Sequence, residues 1–172
     1  MKKLKRKIMS MDKILLDTTY LLPIFGINVN LKNFEKHFPT LLTTSDVLYT
    51  SVSIVEAKWV ILRLNKKTPE PNEKKKILNA YRVGLRILFG DGRLTQTNLT
   101  NPDIEKIADQ LLIDVNISDY FDRIIYATAI NYNMVLLTED QELLNITKNN
   151  QLPTPKKAIT WSDIIRKLSE VD

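Results

Sequence analysis

Asp17, Glu56, Asp122 and Asp140 are far apart in the chain, and each stands where a strand should end or a helix begin. Asp17 follows the apolar run ILL in KILLDTTYLL. Glu56 lies in SVSIVEAKWV, Asp122 in SDYFDRIIYATA, and Asp140 two residues beyond VLLT. In an open parallel sheet, ligands bind at the carboxyl ends of the strands, so these four can converge from different elements. Carboxylates gathered in one cleft repel one another, and such a cluster implies a hard divalent cation. The chemistry this implies is metal-assisted phosphodiester hydrolysis, which needs no protein nucleophile.

Each acid also has a plain structural reading. Thr138 and Gln141 have the spacing of a helix capping box, which would leave Asp140 as a residue in a favourable helix dipole. Asp119 and Asp122 are three apart, again a capping spacing; the same spacing puts both on one helical face, so Asp119 is a candidate fifth acid. Glu56 alone reads as a solvated helix residue. Asp17 is the hardest to dismiss, because a charge after an apolar strand faces the sheet edge.

The elements that must position these residues alternate. Residues 13–19 read as a buried strand and residues 20–25 as a short helix. A helix over 31–38 is expected to stop at Pro39. A second strand covers residues 46–50, and Ser51 is placed to cap the long helix SVSIVEAKWVILRLNKK. Residues 68–73 read as a loop; a helix over 73–89, interrupted by Gly84, ends near Gly90 and Gly92. Residues 93–97 form a third strand. Pro102 opens a helix over 103–113, and another spans 118–131. Residues 134–138 are a fourth strand, followed by a helix from Glu139. A short strand at 158–159 and a helix over 162–168 close the chain, with Thr160 and Asp163 in capping-box spacing. Residues 145–157 are expected to be a flexible loop. Such alternation argues for a three-layer α/β/α fold around a central, mainly parallel sheet.

Composition narrows the chemistry. The chain has 172 residues, 44% of them hydrophobic, enough for one domain with a core. Residues 13–172 are read as that domain and residues 1–12 as a basic arm. The absence of cysteine excludes thiolate zinc sites and cysteine nucleophiles, and fits an intracellular protein. The one histidine, His37, cannot build a histidine-rich metal site and reads as a helix-end residue before Pro39. The net charge of +5 is carried wholly by Lys2, Lys3, Lys5, Arg6 and Lys7, leaving a neutral body. That arm either touches nucleic acid or is a solvated tail. Mean hydropathy is −0.17, and no apolar run is long enough for a bilayer, so a soluble, cytoplasmic protein without membrane contact is expected.

Taken in order, these motifs resemble the PIN-domain (PilT N-terminus) nucleases, a family that includes the toxin-type ribonucleases of toxin–antitoxin pairs. LLDTTYLL matches the strand ending in Asp and Thr, SVSIVEAKW the helical glutamate, FDRIIYATAI the aspartate opening a small-residue helix, and LLTED the strand–Thr–x–Asp segment. The resemblance covers about residues 13–168. It implies a PIN-like fold and an Mg²⁺- or Mn²⁺-dependent endoribonuclease. Asp17, Glu56, Asp122 and Asp140 become its metal-binding and catalytic acids, with Asp119 a further candidate and Thr18 and Thr138 in support. It also implies RNA as substrate and an antitoxin or a second copy of the chain as partner. The competing readings are a non-catalytic RNA-processing scaffold or complex subunit, and a metal-dependent small-molecule phosphatase. The latter ranks last because Asp17-Thr18-Thr19 stands where a D-x-D pair would be.

Overall fold

Short apolar runs form five strands: β1 (Lys13–Leu16), β2 (Asp46–Tyr49), β3 (Leu94–Gln96), β4 (Val135–Leu137) and β5 (Lys157–Ile159). The computed structural model describes residues 12–146 and 152–169. All neighbouring strands pair in parallel, in the order β3-β2-β1-β4-β5. Leu16 is in register with Tyr49 on one side and Leu137 on the other. The chain winds outward in both directions from β1, so the gap between the ends of β1 and β4 is a topological switch point, where open α/β sheets bind ligands.

Among the described residues there are seven α-helices: α1 (Phe34–Thr44), α2 (Ser51–Lys67), α3 (Pro71–Gly90), α4 (Pro102–Val115), α5 (Tyr120–Asn131), α6 (Gln141–Ile146) and, after the last strand, α7 (Trp161–Ser169). Two 3₁₀ turns, Thr18–Tyr20 and Leu22–Phe25, come directly after β1. Strand side chains alternate between the faces of the sheet. Ile14, Leu16, Val47, Tyr49, Val135 and Leu137 face a core completed by α1, α2, α3 and α7. Leu15, Leu48 and Leu136 face a second core built with α4, α5 and α6. Burial on both faces is why these strands read as continuous apolar runs. Among the described residues, no helix is long and apolar enough to cross a membrane.

Several local expectations change for physical reasons. β1 stops at Leu16, and Asp17, still extended, accepts the Thr18 N–H with its side chain and caps the 3₁₀ turn that follows. α1 does not end at Pro39 but runs through it to Thr44. The lost hydrogen bond is outweighed by burial of Phe38, Leu41 and Leu42 on the same helix. His37 therefore lies in the first half of α1, not at its carboxyl end. α3 starts two residues early because Pro71 sits at the first helical position, where its missing N–H costs nothing. Gly84 does not interrupt α3; it lets the helix approach the turn after β1. A Cβ there would come 2.4 Å from the Ile24 carbonyl oxygen and 2.7 Å from the Phe25 ring.

Helix starts also move. Thr50, not Ser51, caps α2, its hydroxyl accepting the Ser53 N–H at 3.0 Å. α5 begins at Tyr120 rather than Ser118, and α6 at Gln141 rather than Glu139. The Thr160–Asp163 pair closes as expected: Asp163 Oδ2 accepts the Thr160 N–H at 3.0 Å. β5 begins at Lys157, inside the stretch expected to be loop. Residues 147–151 of that stretch, and Lys2–Lys7 of the basic arm, lie outside the described residues.

Candidate active site

β1 and β4 end side by side, and backbone hydrogen bonds fix the first residues beyond them. The Asp17 N–H donates to the Leu137 carbonyl at 3.0 Å, and the Thr138 N–H to the Ile159 carbonyl at 3.0 Å. Both residues thus continue the hydrogen bonding of the sheet by one residue.

Asp17 is only 6% exposed. Its Oδ1 accepts the Thr18 N–H at 2.6 Å, and its Oδ2 accepts the Thr138 hydroxyl at 2.6 Å. The Thr18 hydroxyl donates in turn to Glu56 Oε2, on the second turn of α2. The Thr138 hydroxyl also accepts the Asp140 N–H at 3.0 Å. A continuous chain therefore runs Glu56–Thr18–Asp17–Thr138–Asp140. Thr18 and Thr138, both buried, are its two joints.

Asp122 enters from α5. Asp119 caps that helix, its Oδ1 accepting the N–H groups of Phe121 at 2.8 Å and Asp122 at 3.4 Å. Asp140 has a comparable job: its Oδ1 accepts the N–H groups of Glu142 at 2.7 Å and Leu143 at 3.1 Å, capping α6. The expected Thr138–Gln141 capping box is not formed, because Asp140 occupies the cap itself. For Asp119 and Asp140, capping and membership of the acidic edge coexist.

The pKa shifts of three of these groups run in one direction. Burial pushes the Asp17 carboxyl above its ordinary value; the Thr138 and Thr18 hydrogen bonds oppose this, and Asp140 and Glu139 add to it. Glu56 is raised mainly by burial, against the Thr18 hydrogen bond, with Asp17 and Asp119 pushing up and Arg63 pulling down. Asp122 is pushed up to about 7, first by burial and then by Asp119, Asp17, Glu56 and Asp140. Four separate carboxylates acting on Asp122 place five acids in one field.

Glu139 is a participant that the sequence reading missed. Its Oε1 accepts the Tyr20 hydroxyl and the Trp161 N–H, each at 2.6 Å, tying the turn after β1 to the start of α7. Burial, then the Glu139 hydrogen bond, holds the Tyr20 phenol well above its ordinary pKa, so it stays a donor. Glu139 is thus spent on structure, although its charge reaches Asp17.

A family model for the PIN domain matches residues 14–149. The chain belongs to the PIN domain family. No curated protein matches it. This PIN domain is similar in fold to PAE2754 from Pyrobaculum aerophilum, with a TM-score of 0.60 at 15% identity over 92% of this chain and 96% of that one. It is similar to VapBC2 from Rickettsia felis, solved bound to a DNA fragment from its promoter, with a TM-score of 0.55 at 14% identity over 87% and 98%. VapC20 of Mycobacterium tuberculosis, a toxin that cleaves the sarcin–ricin loop, aligns with a TM-score of 0.50 at 13% identity over 74% and 90%. At these identities the likeness is one of fold.

The donors of this PIN domain suit a hard divalent cation: they are all oxygen, anionic and partly desolvated. Among the described residues, none of Asp17, Glu56, Asp119, Asp122, Glu139 and Asp140 has an ion-pair partner. Buried carboxylates without a counter-charge are costly unless a cation joins them. Among the described residues, no group of three or more acidic or histidine side chains is placed to hold a metal ion. Thr18 and Thr138 hold Glu56 and Asp17 through their hydroxyls.

Proposed function

We propose that this protein is an Mg²⁺- or Mn²⁺-dependent endoribonuclease of the toxin type, cleaving RNA at the edge between β1 and β4. The observation that carries this reading is the hydrogen-bonded chain from Glu56 to Asp140, with Asp122 titrating in the same field and, among the described residues, no basic side chain ion-paired to these acids. Asp17 and Asp140 would hold the cation directly, and Glu56 and Asp122 directly or through water. A bound divalent cation supplies charge neutralisation of the phosphate and a lowered pKa for water.

The chain's own side chains do the rest. Thr18 and Thr138 fix the carboxylate oxygens of Glu56 and Asp17 in direction, as partners of metal ligands do. Asp122, near neutrality, is suited to hold or release a proton at its carboxylate in the working pH range. Arg63, whose charge lowers Glu56, is the basic residue suited to an RNA phosphate. A toxin role supplies the partner: an antitoxin, as in the Klebsiella pneumoniae toxin–antitoxin complex of similar fold, with a homodimer as the further assembly. A cytoplasmic setting goes with both.

The test is cleavage of single-stranded RNA by the purified full chain with Mn²⁺ or Mg²⁺. Cleavage abolished by EDTA, and reduced at least about a hundredfold by Asp17→Asn, is the expected result. Cleavage indifferent to EDTA, or none with either metal, would overturn the reading.

A further inference from the structure

The helices that carry Glu56 and Asp122 also line a cavity of about 190 Å³ that the hydrolytic chemistry does not use. Val52 and Val55 of α2 form one wall, Leu99 and Thr100 of the loop after β3 another, and Tyr120 and Phe121 of α5 a third, with Ile124 beneath. Its lining is almost wholly apolar. The two helices that build it also carry acids of the site: Val55 directly precedes Glu56, and Phe121 directly precedes Asp122. The start of α2, the loop after β3 and the start of α5 all lie at the carboxyl edge of the sheet, the edge that holds Asp17 and Asp140.

We infer that this cavity is a subsite for one unstacked nucleobase of the RNA, with Tyr120 as its stacking wall. The inference deepens the ribonuclease reading and rests on it for the substrate class. Size is the first argument. Pockets for drug-sized ligands run about 300–1,000 Å³, and this one is smaller, suited to a single flat ring system. Polarity is the second. The apolar lining offers a phosphate no partner for its charge, while a neutral base face loses little on entering it.

The aromatic wall is the third argument. Tyr120 is held before any ligand arrives. Its hydroxyl donates to Glu105 Oε1 at 2.9 Å, and the same oxygen accepts the Thr100 hydroxyl at 2.7 Å. The buried Arg123 guanidinium lies over the Tyr120 ring, 5.4 Å from its centroid. A ring fixed by a hydrogen bond and a cation still leaves Tyr120 46% exposed at the cavity mouth. Single-stranded RNA is read by splaying its bases onto such aromatic faces. The half-buried Glu105, at the rim, offers a further acceptor to a base amino group.

The test uses Asp17→Asn protein with Mg²⁺ and six-nucleotide single-stranded RNAs carrying one 2-aminopurine at each position in turn. One position should lose fluorescence on binding, through stacking. Adding Tyr120→Ala should abolish that loss and weaken binding about tenfold, while Tyr120→Phe keeps both. Val55→Phe, at a position exposed enough to accept the ring, should fill the cavity and act like Tyr120→Ala. With Asp17 intact, both disabling variants should raise KM about tenfold. Quenching and affinity equal in all variants, or no quenching at any position, overturns the inference. So do variants that handle RNA normally yet lose a copurifying partner, which would give the cavity to a protein side chain. If the wild type cleaves RNA and the variants match it, the subsite falls and the ribonuclease stands. If Tyr120-dependent quenching occurs in a protein that cleaves no RNA, the subsite stands and the ribonuclease falls.

Discussion

The Thr138 hydroxyl donates to Asp17 Oδ2 at 2.6 Å, across a sequence separation of 121 residues. The same hydroxyl accepts the Asp140 N–H, so one oxygen couples the end of β1 to the start of α6. In the parallel sheet these two ends are neighbours at the switch point, and a hydroxyl is small enough to fit between them without a cavity.

Thr138→Val should expose how much this link contributes. The substitution keeps the shape and removes the side-chain hydrogen bond that pulls Asp17 down. It leaves a buried carboxylate oxygen and the Asp140 N–H unpartnered, at a cost of about 1–3 kcal/mol in metal-free stability. Thr138→Ser should recover most of it. Urea unfolding of the three proteins with EDTA measures this. Mn²⁺ titrations should show weaker binding by Thr138→Val than by wild type, with the gap wider at pH 6 than at pH 8, because a raised Asp17 holds its proton more firmly.

The placement of Asp17, Asp122 and Asp140 was legible in the sequence because each follows a strand run or lies in the first turn of a helix, places where topology fixes the edge. The sheet was legible for the same reason: alternation of apolar runs and helical periods demands parallel crossovers. The partnerships were not. Thr138 has a local reading as a cap, and nothing near it signals a bond to Asp17. Glu139 sits beside Asp140 in TED, yet its partners Tyr20 and Trp161 come from opposite ends of the chain. Pro39 shows the converse error. The local rule against proline in a helix was sound, but the buried faces of Phe38, Leu41 and Leu42 overrule it.

Metal-free stability should fall as pH rises from about 4 through about 7. Asp122 has a folded-state pKa pushed to about 7, above its value of 3.8 when unperturbed, so the folded state binds the extra proton. Stability is then fully present below the unfolded pKa and is lost through the folded one. Asp17 and Glu56, both raised, act in the same direction. Asp91 and Asp163, both lowered, act with the opposite sign only below about pH 4. Solvent still reaches Asp122, so its share is discounted to about 1–2 kcal/mol. Melts with EDTA at pH 5 and pH 8 should show the lower melting temperature at pH 8. Mn²⁺ should reverse that order, since it binds the folded, deprotonated site. A flat profile with EDTA would mean that the acids do not share one field.

Gly84→Ala should destabilise the fold by about 1–3 kcal/mol, the range for forcing extra atoms into a packed region. The new Cβ meets the Ile24 carbonyl, a backbone atom that cannot swing aside. Helix propensity favours Ala over Gly by about 1 kcal/mol and would predict a gain. A 2.4 Å approach outweighs it. Thermal denaturation decides the sign, and a rise in melting temperature would show that α3 can slide off the turn at little cost.

Asp140 carries two roles that substitution can separate. Its Oδ1 caps α6, and its charge raises Asp17 and Asp122. Asn is as good an N-cap as Asp, because its side-chain oxygen accepts the same N–H groups. Asp140→Asn therefore keeps the cap and removes one like charge, and should leave metal-free stability unchanged or slightly raised. Asp140→Ala removes both, and should lose about 1 kcal/mol of metal-free stability. With Mn²⁺ the two should converge: each lacks a ligand charge, and each should show a much smaller rise in melting temperature than the wild type. Melts of the three proteins with EDTA and with Mn²⁺ give all six values. If Asp140→Asn shows the full metal-induced rise, Asp140 is a helix cap and not part of the cation site.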